Sequence, residues 1–204
     1  MYGARTSLVI SCGSAIAALV IGVTLGVIAG YVRPLDTLIM RIVDVELAFP
    51  SMILAIAVVA ALGKASAINV IIVLIFTGWI VYARVVRSSV LSLGEALFVE
   101  AAVAMGVGSG RIMFKHIVPS VLPTALALAS IQVPTFMIIE ASLSYLGLGV
   151  PASTPTWGVM LEEGQQTIFS AWWPVVFPAI TMAVAVLLIT SVADFAVARL
   201  EGRR

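Results

Sequence analysis

The chain has 204 residues, 62% of them hydrophobic and only 10% charged, with a formal net charge of +1 and a mean hydropathy of +1.18. Soluble proteins carry charge on roughly a quarter of their residues, so this composition excludes a water-soluble domain with an ordinary surface. The balanced charge, with no basic stripe interleaved with aromatics, offers nothing to nucleic acid.

The charges are clustered, leaving charge-free stretches at 6–32, 47–63, 65–83, 116–139 and 164–193, which are 27, 17, 19, 24 and 30 residues long. About 20 apolar residues carry a helix across a bilayer, and tilt or fraying takes up the spread. The runs are continuously apolar rather than alternating, which points to helices and not to a barrel. The reading is an all-α membrane protein, one domain over 1–204, with spans at about 7–31, 47–62, 66–83, 117–139 and 171–193. Loops then alternate sides. Arg33, Arg41, Arg84, Arg87, Arg111, Lys115, Arg199, Arg203 and Arg204 fall on one face and only Arg5 and Lys64 on the other, which makes the first face cytoplasmic and puts the N-terminus outside.

In the first span Gly22, Gly26 and Gly30 recur at four-residue spacing, a face that lets a second helix approach closely, either within the chain or from another subunit. Cys12 is the sole cysteine, which rules out an intrachain disulfide and reads as a packing thiol in an apolar helix. No signal-peptide pattern is expected. Residues 33–50 mix Arg33, Asp36, Arg41, Asp44 and Glu46 with apolar residues at helical spacing. This predicts an interfacial helix running into the second span, with Pro50 in its first turns and the acids solvated or paired. Gly63 and Lys64 make a tight hairpin to the third span.

The inner loop, 84–116, is the most patterned part. Ser92-Leu93-Gly94-Glu95 has the form of a capping box and predicts a helix start. From there Leu93, Leu97, Ala101 and Ala104/Met105 recur as an apolar stripe with Glu95 and Glu100 off it. Gly106, Gly108 and Gly110 are expected to end the helix, and a second piece from Arg111 to Ile117 leads through Pro119 and Pro123 into the fourth span. The segment 140–170 is apolar but full of breakers, so it reads as an outer re-entrant or interfacial stretch. Glu140 and Ser142 stand at its start, with Glu140 hydrated or meeting an outer partner, and Trp157, Trp172 and Trp173 lie at the interface.

Catalytic chemistry is missing from the inventory. His116 is the only histidine, so no zinc motif is available and no metal is expected. Ser109 with His116 is better read as loop than as a dyad, and GVGSGR lacks the lysine and spacing of a phosphate loop. An ion-coupled secondary transporter is the other helical-bundle reading. Such proteins place ionisable groups within their spans, whereas the charge-free runs here hold only Gln132, Asn69 and hydroxyls. Energy then has to come from a partner, and a short helix with a sharp glycine turn between two spans suits a lever driven by ATP.

Residues 100–119, EAAVAMGVGSGRIMFKHIVP, resemble the EAA signature of permease subunits of bacterial ABC importers, with Glu100, Ala101, Ala102, Gly106 and Pro119 matching it. His116 and Val118 depart from the general ending and resemble the dipeptide, oligopeptide and nickel branch. So do YGARTSL (2–8), MRIVD and AFP within 40–50, GWIVYARVVRSSVLSL (78–93) and EASLSYLGLGVPASTPTWGVML (140–161). The resemblance implies a type I importer transmembrane domain whose coupling helix docks on a separate ATPase, with Arg84, Arg87, Gly108, Gly110, Arg111, Lys115 and His116 as the supporting loop. It also implies a homologous second permease, two ATPase subunits that hold ATP and Mg, an extracytoplasmic solute-binding protein and the lipid of a bacterial inner membrane. This chain itself would bind no cofactor and catalyse nothing. The implied cargo is peptide, or else nickel or another small solute. Members of that branch carry a further span before the YGAR stretch, so a chain opening at Met1-Tyr2-Gly3 is expected to lack the usual first helix through a misassigned start or a truncation.

Overall fold

The structure, a computed structural model, describes residues 2–201, apart from the side chains of 194 and 196–201. Arg203 and Arg204 of the charge count lie outside the described residues, as does the side chain of Arg199. The described chain is helical: α1 (Tyr2–Tyr31), α2 (Arg33–Leu47), α3 (Ser51–Leu62), α4 (Ala67–Gly94), α5 (Leu97–Ala104), α6 (Ser109–Ile112), α7 (Val118–Tyr145), α8 (Trp157–Gln165) and α9 (Trp173–Glu201).

Four helical stretches, Tyr2–Tyr31, Ala67–Gly94, Ser109–Tyr145 and Trp173–Ala193, are long and apolar enough to cross a membrane, and α2 with α3 forms a fifth candidate bent by 96°. The bend has a local cause. Pro50 has no N–H for a helical bond and disfavours helical geometry in the residue before it, so α3 has only 12 residues. At 1.5 Å per residue that is about 18 Å, well short of a hydrocarbon core of about 30 Å.

Helix α2 is amphipathic, burying Ile39, Val43 and Glu46 and exposing Leu35, Leu38, Ile42 and Val45. Two ion pairs hold it alongside α4. Arg87 grips Asp36 with both arms of its fork, Nη2 to Oδ2 at 2.6 Å and Nε to Oδ1, and Arg84 lies 3.9 Å from Asp44. The guanidinium keeps the Asp36 carboxyl below the usual range. Glu46, expected in water or in a pair, is instead buried with the Trp79 side chain as its polar neighbour.

The glycine face of α1 is spent inside the chain. A Cβ on Gly22 would collide with the Trp79 carbonyl, one on Gly26 would sit 2.7 Å from the Ala83 carbonyl oxygen, and one on Gly30 would sit 2.7 Å from Val90 Cβ. Close backbone approach therefore fixes α1 on α4. Around this pair the core gathers Ile10, Ala15 and Ala18 of α1, Leu74 and Tyr82 of α4, and Phe136 and Leu143 of α7. Cys12 is half-buried rather than enclosed, on the flank of this contact. Helix α4 continues eleven residues past the expected end at 83, because Val86 and Val90 go on packing while Arg84 and Arg87 turn sideways to α2.

Between α6 and α7 the chain makes a π-turn, Met113–Ile117, in which the Val118 N–H reaches back five residues to the Met113 carbonyl. Pro119 follows, with no N–H to give the preceding turn and a ring that crowds it, and the wider turn accommodates both. The end of α1, the end of α4, α5, α6 and the start of α7 thus meet at one end of the bundle, where Tyr31 Oη donates to the Ser109 carbonyl at 3.1 Å. The start of α1, the end of α7 and α8 meet at the other.

Candidate functional site

Helix α5 is set on the bundle by two short side chains. Val99 and Ala102, three positions apart, are buried in a cluster with Val27 of α1, Val86 and Val90 of α4, Ile112 of α6, Ile117, and Val121 of α7. Its other side faces outward, with Leu97 82% exposed and Met105 76% exposed beside Phe98, Val103 and, across the turn, Phe114. The expected apolar stripe through Leu97, Ala101 and Met105 is thus real but points away from the bundle. The inward face is the narrower one, because only small side chains let α5 lie flat on α4 and the π-turn.

The capping box is not used. Ser92 lies inside the last turn of α4, and α5 begins after Ala96, whose extended backbone starts the helix without a side-chain cap. Continued packing of α4 beyond Ser92 outweighs the local capping signal. At the other end the turn is a Schellman closure: Gly106 N–H donates to the Val103 carbonyl at 2.9 Å and Val107 N–H to the Ala102 carbonyl at 3.0 Å. Gly106 has φ +76°, the left-handed region. Gly108, at φ −62° ahead of α6, and Gly110, inside α6, need no such freedom, so of the three expected helix breakers only Gly106 acts as one.

The structure places Glu100, Ala101, Gly106, Gly108, Gly110, Arg111, Lys115 and Pro119 together on the exposed side of this corner, with Ala102 beneath them in the cluster. His116 is half-buried and its ring stands 6.3 Å from that of Phe98. Arg84 and Arg87 do not join the group, being committed to Asp44 and Asp36. Phe98, Phe114 and Tyr31 were not singled out from the sequence. The first two lie off the expected stripe, and the tyrosine's partner is distant in the chain.

The opposite end corrects the reading of the outer segment. Helix α7 runs to Tyr145, so Glu140 lies within it, and the following loop and α8 fold back to bury that side chain completely. The expectation of a hydrated Glu140, and of spans free of ionisable groups, fails for this reason. Ser144 Oγ donates to Glu140 Oε1 at 3.0 Å. Trp157 is also buried rather than interfacial, its backbone N–H donating to Ser7 Oγ at 3.2 Å. Ser142 is half-buried, with its hydroxyl turned back to the Ile138 carbonyl. Trp172 and Trp173 do stand exposed, edge to face at 6.2 Å.

The overall fold has counterparts among solved structures. The chain superposes on one from the inward-facing MetNI methionine ABC transporter with a TM-score of 0.79, covering 97% of this chain and 94% of that one at 22% identity. On an amino acid ABC transporter solved with histidines the TM-score is 0.71 at 15% identity. Residues 22–204 match the family of binding-protein-dependent transport system inner membrane components, and the chain belongs to that family. It is a multi-pass membrane protein. It is 44% identical over 195 residues to the dipeptide transport system permease protein DppC of Alkalihalophilus pseudofirmus, which takes in 95% of this chain and 64% of that relative. It is 40% identical over 178 residues to the oligopeptide transport system permease protein OppC of Bacillus subtilis, or 87% of this chain and 58% of the other. The chain therefore spans just under two-thirds of the length of these relatives.

Proposed function

We propose that the chain is a permease subunit of an ATP-driven importer in a bacterial inner membrane, forming part of the pathway for dipeptides or oligopeptides and coupling to a separate ATPase through α5. One observation carries this reading: α5 is joined to the bundle core by Val99 and Ala102 while its apolar outer side, led by Leu97 and Met105, has no partner among the described residues. A force applied to that side reaches α1, α4 and α7 through one packed cluster. The Schellman turn at Gly106 fixes the angle at which the lever leaves the bundle. Peptide cargo is supported by the functions named for the relatives at 44% and 40% identity. In the assembled machine a second permease, two ATPase subunits with their ATP and Mg, and an extracytoplasmic binding protein complete the cycle. Each bound ligand in turn favours one of two arrangements of the pathway.

The experiment is purification of the tagged chain from membranes of its own cell, with identification of what copurifies and measurement of ATP hydrolysis and labelled-dipeptide uptake. Recovery of an ATPase and a second permease, with uptake that requires this chain, supports the reading. Uptake of nickel or another small solute in place of the dipeptide would change the cargo and keep the machinery. A chain that purifies alone and still carries solute would refute the coupling.

A further inference from the structure

The outer end of the bundle holds a polar centre that coupling does not use. Glu140 is fully buried, and neither ion pair among the described residues involves it. Three hydroxyls surround its carboxyl: Ser144, donating to Oε1 at 3.0 Å, and Ser7 and Thr156 beside the remaining part of the group. Each of these hydroxyl oxygens also accepts one backbone N–H. Ser144 takes that of Val150 (3.3 Å), Ser7 that of Trp157 (3.2 Å) and Thr156 that of Val159 (3.3 Å).

A hydroxyl has a single proton to give. For Ser144, whose oxygen is engaged by the Val150 N–H, that proton goes to Glu140 Oε1, while Glu140 Oε2 is buried with no hydrogen-bond partner among the described residues. The three backbone groups belong to the loop after α7 and the first turn of α8, so the carboxyl, bonded to Ser144 and lying beside Ser7 and Thr156, stands where α1, α7, the loop and α8 meet. The surroundings leave little room for anything else. A Cβ on Gly158 would meet Ser144 Cβ at 2.6 Å, one on Gly149 would meet Ser144 N at 2.6 Å, and one on Gly3 would meet Met160 Sδ at 2.9 Å. An acid enclosed in an apolar bundle is expensive, and filling space alone would be better served by leucine.

We propose that Glu140 is a positioning residue that makes the first turns of α1, the end of α7, the segment 146–156 and α8 one rigid outer block, which moves as a unit when the pathway opens and closes. The link to opening and closing rests on the transport reading given above; the rigidity of the block does not.

The test uses the complete transporter with Cys12→Ser, Gly3→Cys and Met160→Cys, the new thiols being bridged by a short bis-methanethiosulfonate reagent. Replacing Glu140 by Ala removes the buried hydrogen bond to Ser144 and the carboxyl packed among the hydroxyls, so the bridging rate and peptide uptake should each fall about tenfold or more. Bridging the pair in the Glu140→Ala protein should restore uptake, since a covalent link then does the work of the carboxyl. Glu140→Gln, which keeps the volume and one acceptor for Ser144, should fall between the parent and Glu140→Ala. Should Glu140→Ala fail to assemble, Glu140→Gln carries the test through the same two readouts. Bridging as fast in the variant as in the parent would overturn the proposal, and so would uptake that stays lost after bridging. If bridging responds to Glu140 as expected while even the parent imports no peptide, the rigid block stands and the transport reading falls.

Discussion

Gly106 and Gly158 sit at opposite ends of the same bundle and are glycine for opposite reasons. At Gly106 the backbone is left-handed, φ +76°, and an added Cβ would find nothing within 4 Å. At Gly158 the backbone is helical, and an added Cβ would strike the Ala141 carbonyl and Ser144 Cβ. The first glycine shapes a corner that stands open to its surroundings, and the second closes a joint inside the chain. One end stands open, as the proposed docking of a partner requires, and the other is shut, and the exposed apolar side of α5 against the enclosed Glu140 repeats the contrast in side chains.

Substitutions separate the two kinds of position. The largest effect is expected where space is absent. Gly26→Leu forces α1 off α4 and should cost about 1–3 kcal/mol or more, read as a fall in the melting temperature of the purified complex and a loss of assembled material. Gly106→Val comes next. Strain of about 1–3 kcal/mol at a left-handed position should lower stability modestly while uptake falls out of proportion, because the lever leaves the bundle at the wrong angle. Uptake that merely tracks the stability loss would count against the lever. Leu97→Asp alters only an exposed site and should change stability by no more than about 0.5 kcal/mol, yet it should abolish copurification of the ATPase. If the complex stays intact, the docking surface lies elsewhere. The smallest effect is expected at Gly110, which is helical and unobstructed: Gly110→Ala should stabilise by about 0.5–1 kcal/mol, and a loss there would show that the corner is more crowded than the structure indicates.

Much of this architecture was legible in the sequence. Long apolar runs specify long helices, and the spacing of Gly22, Gly26 and Gly30 gave away a close helix contact, though not its partner. The existence of α5 and the turn at Gly106 followed from composition and period. The facing of α5 did not follow, because both of its sides are apolar and periodicity alone cannot tell which one the core takes. The capping signal at Ser92 misled because it is a local preference, overridden by the continued packing of Val86 and Val90. Glu140 was misplaced for a related reason. A charged residue marks the end of an apolar run in a sequence, whereas in the folded chain the loop from 146 brings hydroxyls back over it, and Ser7 is more than a hundred residues away. A signal was nonetheless present in Thr156, a helix-capping residue just ahead of Trp157 and Gly158.

The π-turn at Met113–Ile117 makes the aim of α5 a matter of register. Each residue of an α-helix rotates the chain by about 100°, so whatever lies upstream of the turn is set, relative to α7, by a single surplus residue. Removing Phe114 and letting the turn revert to regular helix would turn the upstream segment about the axis of α7 by about that angle, which Val99 and Ala102 could follow only by leaving their cluster with α1 and α4. A one-codon deletion, harmless by composition, would set the join to α7 against the packing that holds α5, which makes length at this turn as strict a requirement as any residue on the surface it directs.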